Sequence, residues 1–169
     1  MPGRLRHFEL RLETPLPAPI AWARILDLRA HDRLIPFTHI IEGLASADEL
    51  RPGHRFVACT LLTRVGFRGR LLGFNDVMTF EEIEPPEEAH AGHARIVKSG
   101  KLVRGSIEVT VSPGRGDGAG RNENRPTPGS TVRWSQDFGL ARFPGIVGLA
   151  AFAVAGPAYW VTLKRLLRG

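Results

Sequence analysis

Residues 143–163 read FPGIVGLAAFAVAGPAYWVTL, and no charge interrupts them. Arg142 precedes the run, and Lys164, Arg165 and Arg168 follow it. Such a stretch is either a membrane span, which needs about 20 apolar residues, or a long helix lying on an apolar surface. The details favour the docked helix. A helix over 146–163 reaches only about 27 Å at ~1.5 Å per residue, the thin end of a bilayer core. Much of the run is Ala and Gly, whereas Leu, Ile, Phe and Val carry the strong insertion signal. Pro157 would remove a helix hydrogen bond late in the run. Leu149, Phe152, Gly156, Tyr159, Leu163 and Leu166 recur at helical spacing, with Val147, Val154 and Val161 on a neighbouring stripe. Ala151, Ala155 and Ala158 are small enough for close packing. The rest of the chain is therefore expected to supply a large apolar surface.

The composition agrees with a soluble globular protein: 169 residues, 43% hydrophobic and 24% charged. That length fits one domain over 1–169 with a sizeable core. The first residues alternate charge and apolar groups, so no signal peptide is expected, and a cytoplasmic setting fits. Cys59 is the one cysteine, which excludes an internal disulfide. The net charge is +6, but the arginines are scattered and often neighbour acids, as Arg11 does Glu9 and Glu13. With no basic run and no helix-turn-helix pattern, nucleic acid is not an expected partner.

Working back to the start, Phe8, Leu10 and Leu12 alternate with Glu9, Arg11 and Glu13, which predicts a strand with one buried face. A helix follows over 18–28, its first turn tolerating Pro17 and Pro19, with Trp22, Ile25 and Leu26 buried. HDRLIP, 31–36, predicts a second short helix or turn stopped by Pro36. Further strands are expected over 38–44, 54–65, 75–84, 94–100, 104–112 and 131–138. Glycines 66, 69 and 73 make RVGFRGRLLG a ragged strand or lid-like loop. Residues 113–130, PGRGDGAGRNENRPTPGS, have almost no apolar content and predict a flexible hairpin connection. One antiparallel sheet with its helices on one side is an α+β design.

Local phrases in this order resemble the START-like superfamily, also called SRPBCC, which includes polyketide cyclases and dehydrases and Bet v 1-like proteins. They are Leu16-Pro17-Ala18-Pro19 leading to Trp22, Asp27 before the second helix, and Gly53-His54-Arg55-Phe56 opening a strand. Phe74-Asn75-Asp76-Val77-Met78 and Glu84-Pro85-Pro86 follow. Lys98-Ser99-Gly100-Lys101-Leu102-Val103-Arg104-Gly105 and Thr131-Val132-Arg133-Trp134 complete the set. The resemblance implies a helix-grip fold: a curved seven-stranded antiparallel sheet wrapped around the C-terminal helix, two short helices after the first strand, and an apolar cavity between. It says less of function, because one fold hosts transport, binding and catalysis alike.

For a binding protein, Phe56, Ala58, Thr60, Met78, Phe80, Ile107, Val109, Trp134, Gln136, Phe152 and Tyr159 are the expected ligand-facing residues. The ligand would be small and apolar or aromatic, lipid- or polyketide-like, held mainly by burial of apolar area. The alternative is a cyclase- or dehydrase-type enzyme moving protons with His54, Asp76 or Tyr159. Asp76 and Gln136 share the parity of Met78, Phe80, Trp134 and Phe138, so on a cavity face both need partners. Many relatives carry a carboxylate where this chain has Gln136, which weakens the enzyme reading. His31 and His39 are expected at the cavity mouth as solvated groups. His90 and His93 sit in a surface turn. No cluster of His and Cys suggests zinc, and no glycine-rich loop suggests a nucleotide, so no metal and no cofactor are expected.

Overall fold

The structure is a computed structural model. It describes residues 5–35, 38–61, 73–88, 90–114, 129–140 and 145–168; the side chains of 61, 73, 74, 140 and 145–155 lie outside the described part. The lid-like segment expected at 64–73 and the polar connection expected at 113–130 fall almost wholly outside it as well.

The elements follow in the order β1 (Arg6–Thr14), α1 (Ala18–Leu26), α2 (Leu28–Leu34), β2 (Thr38–Glu42), β3 (Arg55–Leu61), β4 (Gly73–Glu84), β5 (Gly92–Ser99), β6 (Val103–Pro113), β7 (Ser130–Leu140) and α3 (Gly145–Arg168). The seven strands form one sheet in the order β1-β7-β6-β5-β4-β3-β2, and every pairing is antiparallel. Consecutive strands from β2 to β7 lie side by side. Only β1 leaves this meander, crossing to pair with β7, while α1 and α2 carry the chain back to the far edge at β2. Irregular registers between Ile40 and Glu42 and between Phe80 and Glu82 are the kind of bulge that bends a sheet.

The period-two pattern sets which face is dry. In β5, Gly92, Ala94, Ile96 and Lys98 are buried, and the residues between them are only half-buried. Phe80, Val109, Val111 and Val132 are sealed in the same core. Full burial of such side chains is worth roughly 1.5–3 kcal/mol each. From α1 the core receives Ala21, Trp22, Ile25 and Leu26, and from α3 Leu163, Leu166 and Leu167. Contacts of α3 with α1, α2 and β1 set the terminal helix across this face.

Three local expectations are corrected. The first helix ends at Leu26, and the second starts at Leu28 instead of His31, because Asp27 leaves helical backbone geometry and caps the next helix. Its carboxylate accepts from the amides of Arg29 and Ala30 at 2.9 and 3.2 Å, satisfying two otherwise unpaired first-turn donors. Val161 is not on the packed side of α3; it is 41% exposed beside Trp160, over whose ring the Lys164 ammonium lies at 3.9 Å. In β3, where Phe56 and Ala58 are expected on one face and Val57 on the other, Val57 is as buried as they are, so burial does not alternate. Among the described residues, no helix is long and apolar enough to cross a membrane.

Candidate functional site

Between the sheet and the helices lies a cavity of about 50 Å3. Strand residues Phe56, Ala58, Met78, Phe80, Ile96, Ile107 and Trp134 form one wall. Ile25, Leu26, Leu28, His31 and Asp32 from the two short helices form the opposite wall, Ile35, Thr38 and Ile40 lie at one side, and Tyr159 of α3 closes it. On this measure a water needs about 10–15 Å3, so the space as it stands holds a few waters. A larger guest requires side chains to move. Met78, unbranched and with three rotatable bonds, is suited to that.

Aromatic residues of the wall pack against one another. His31 stacks on Trp134 with ring centroids 6.2 Å apart and planes at 28°. Trp134 meets Tyr159 at 5.5 Å, and Phe56 meets Phe80 at 5.6 Å. Burial, with a smaller push from the Asp76 carboxylate, raises the Tyr159 phenol above its ordinary pKa although Lys98 acts the other way. Tyr159 is therefore a neutral hydroxyl at physiological pH.

Next to Met78, one inward row further along the sheet, is a buried ion pair. Lys98 Nζ lies 2.5 Å from Asp76 Oδ2 and 3.4 Å from Met78 Sδ, with Lys98 and Asp76 5% and 7% exposed. The register explains the encounter: β4 sets Met78 opposite Lys98, and Asp76 lies two residues along on the same face. Burial alone would pull the lysine pKa down. The Asp76 carboxylate, the nearby Tyr159 and the hydrogen bond to Asp76 outweigh it, so Lys98 stays charged. The other carboxylate oxygen, Asp76 Oδ1, is sealed from solvent without a partner, an arrangement that costs free energy.

Of the expected ligand-facing residues, Phe56, Ala58, Met78, Phe80, Ile107, Trp134 and Tyr159 line the cavity. Thr60, Val109 and Gln136 do not. Thr60 is hydrogen-bonded to Thr38 across β2 and β3 at 3.2 Å. Val109 is sealed in the core. Gln136 is inward but turns its oxygen to the Trp134 indole N–H, 3.3 Å away. Phe152 lies where the α3 side chains are not described. Among the proton-transfer candidates, His54 is outside the cavity: its Nε2 bonds the Gly43 carbonyl at 2.9 Å at the start of β3. Asp76 lies behind Met78, and only Tyr159 reaches the wall.

Lys98 was not anticipated from the sequence, and His31, expected at the cavity mouth, lines the cavity. Lys98 continues the inward parity of Ala94 and Ile96, which was a usable signal. His31 was expected to be solvated but is 6% exposed, because α2 starts early and turns it inward. His39 is exposed, with its ring 3.7 Å from Asp32, and His93 lies 3.5 Å from Glu82. Among the described residues, no group of three His, Cys, Asp or Glu side chains is placed to hold a metal.

This architecture is the helix-grip fold. The Zhui aromatase/cyclase from a Streptomyces species is similar over 97% of this chain and 92% of its own, with a TM-score of 0.56 at 14% identity. Norcoclaurine synthase from Thalictrum flavum, in complex with dopamine and hydroxybenzaldehyde, is similar over 97% of this chain and 87% of its own, with a TM-score of 0.51 at 12% identity. An uncharacterized protein from Rhizobium leguminosarum is similar over 98% and 96%, with a TM-score of 0.57 at 10% identity. Identities this low establish a shared fold. No protein-family model matches the chain, and no curated protein matches its sequence.

Proposed function

We propose that this protein binds a small apolar or aromatic ligand, lipid- or polyketide-like, between its sheet and its helices. The observation that carries the reading is the cavity itself: a mostly apolar wall drawn from all three helices and six of the seven strands, with Phe56, Phe80, Trp134 and Tyr159 offering ring faces. Phe56, Ala58, Met78, Phe80, Ile107, Trp134 and Tyr159 are the proposed contacts. Affinity comes from apolar area removed from water, at ~25 cal/mol per Å2 before the costs of association. Two proteins of the same fold support an aromatic guest, one an aromatase/cyclase by name and one holding dopamine and hydroxybenzaldehyde.

A second reading, a cyclase- or dehydrase-type enzyme in the same cavity, is favoured by the Lys98–Asp76 pair. A buried ammonium and a carboxylate oxygen without a partner lie behind one flexible methionine, and the neutral phenol of Tyr159 is in the wall beside it. Opening past Met78 would give a polyketone carbonyl a donor in Lys98 and an acidic proton an acceptor in Asp76.

Native mass spectrometry of the purified protein, with extraction and identification of what it carries, tests the first reading. A stoichiometric apolar or aromatic compound is the expected result. Apo protein that also fails to bind a panel of apolar probes by calorimetry would mean a filled core and would overturn it.

A further inference from the structure

The neighbours of His31 fix which of its nitrogens carries a proton. Its Nε2 lies 2.6 Å from the Ile25 carbonyl oxygen. A carbonyl only accepts, so Nε2 is the donor. Burial pushes the imidazole pKa down, against the Ile25 carbonyl and the Asp27 carboxylate, so the ring is neutral near pH 7. A neutral ring protonated at Nε2 has a lone pair at Nδ1. Nδ1 has no hydrogen-bond partner among the described residues. The ring is buried, forms part of the cavity wall and is stacked on Trp134.

We propose that His31 Nδ1 is the acceptor for a ligand hydroxyl, carried on a flat apolar ring seated beside Trp134, and that it makes the cavity select phenols or enols over isosteres without the O–H. The proposal rests on the cavity being the ligand site. Selection of this kind is strong because an apolar analogue leaves a buried acceptor unpaired, a difference of about 10- to 100-fold in affinity.

The test compares 2-naphthol with 2-methylnaphthalene by calorimetry on the wild-type protein, His31→Gln and His31→Leu. The ratio of their Kd values in wild type against His31→Leu cancels their different cost of leaving water. It should shift at least tenfold toward the methyl compound in the variant. An unchanged ratio, with both probes bound, overturns the role of His31 and leaves the cavity reading standing. Binding of neither probe to wild type overturns both. Should the variants not fold, the 15N resonance of His31 Nδ1 in the wild-type protein decides. It should move on binding 2-naphthol and stay in place with 2-methylnaphthalene; no movement with bound 2-naphthol overturns the proposal.

Discussion

Lys98 and Asp76 leave water together, and each is tolerable only because of the other. Desolvation of one buried ion costs several kcal/mol, and a partner at contact distance offsets it. Lys98→Met leaves the Asp76 carboxylate buried and alone, so chemical denaturation should show a loss of about 3–5 kcal/mol. Lys98→Met combined with Asp76→Leu should recover most of that loss. A double variant as unstable as the sum of the two singles would mean that the pair does not govern the cost. Half of this pair could be read beforehand. Asp76 shares its phase with Met78 and Phe80, which predicts an inward carboxylate needing a partner. Naming Lys98 required the β4–β5 register, and no residue pattern within either strand specifies which residues face one another across two strands. Only the burial of His31 escaped, for a related reason: it follows from where α2 begins, which the Asp27 cap sets.

At the scale of elements, apolar periodicity located seven strands and the first and last helices, HDRLIP being left open as a short helix or turn, and the ends that fall among the described residues moved by a few residues. Strand interiors are set by alternation, whereas ends depend on partners and caps that are distant or local details. Gly105 in β6 shows how narrow such a detail can be. Its φ of 143° lies where side chains other than hydrogen are strained, and a Cβ there would overlap the Asp137 carbonyl of β7. The strand pattern around Ile107, Val109 and Val111 gave no sign of this. Gly105→Ala should lower stability by about 1–3 kcal/mol, visible as a lower Tm. An unchanged Tm would show that β6 and β7 separate locally at little cost.

For the whole molecule, the described end of the terminal helix is satisfied by the protein's own core. Leu163, Leu166 and Leu167 meet that core, as the helical spacing of Leu163 and Leu166 anticipated. The cavity's contents were not readable, because its volume depends on how rings such as Trp134 and Tyr159 settle against one another. The topology also bears on kinetics. Pairings between distant parts of a chain form slowly, since loop closure precedes the contacts that reward it. Refolding followed by tryptophan fluorescence should therefore fall in the range of milliseconds to seconds. A microsecond main phase would contradict the long-range pairing as the limiting event.

The partnership of β1 with β7 reaches beyond the test tube. His7 and Asp137, bonded across those strands, are 130 residues apart in the chain. A ribosome adding ~5–20 residues per second takes on the order of ten seconds to make what lies between them. Throughout that interval β1 lacks the β7 strand it pairs with, and its Phe8, Leu10 and Leu12 are open to whatever binds nascent apolar segments. The meander from β2 to β6 can begin to assemble as it emerges. β1 is thus made well before the strand that secures it, and translation speed, as much as sequence, governs how long it waits.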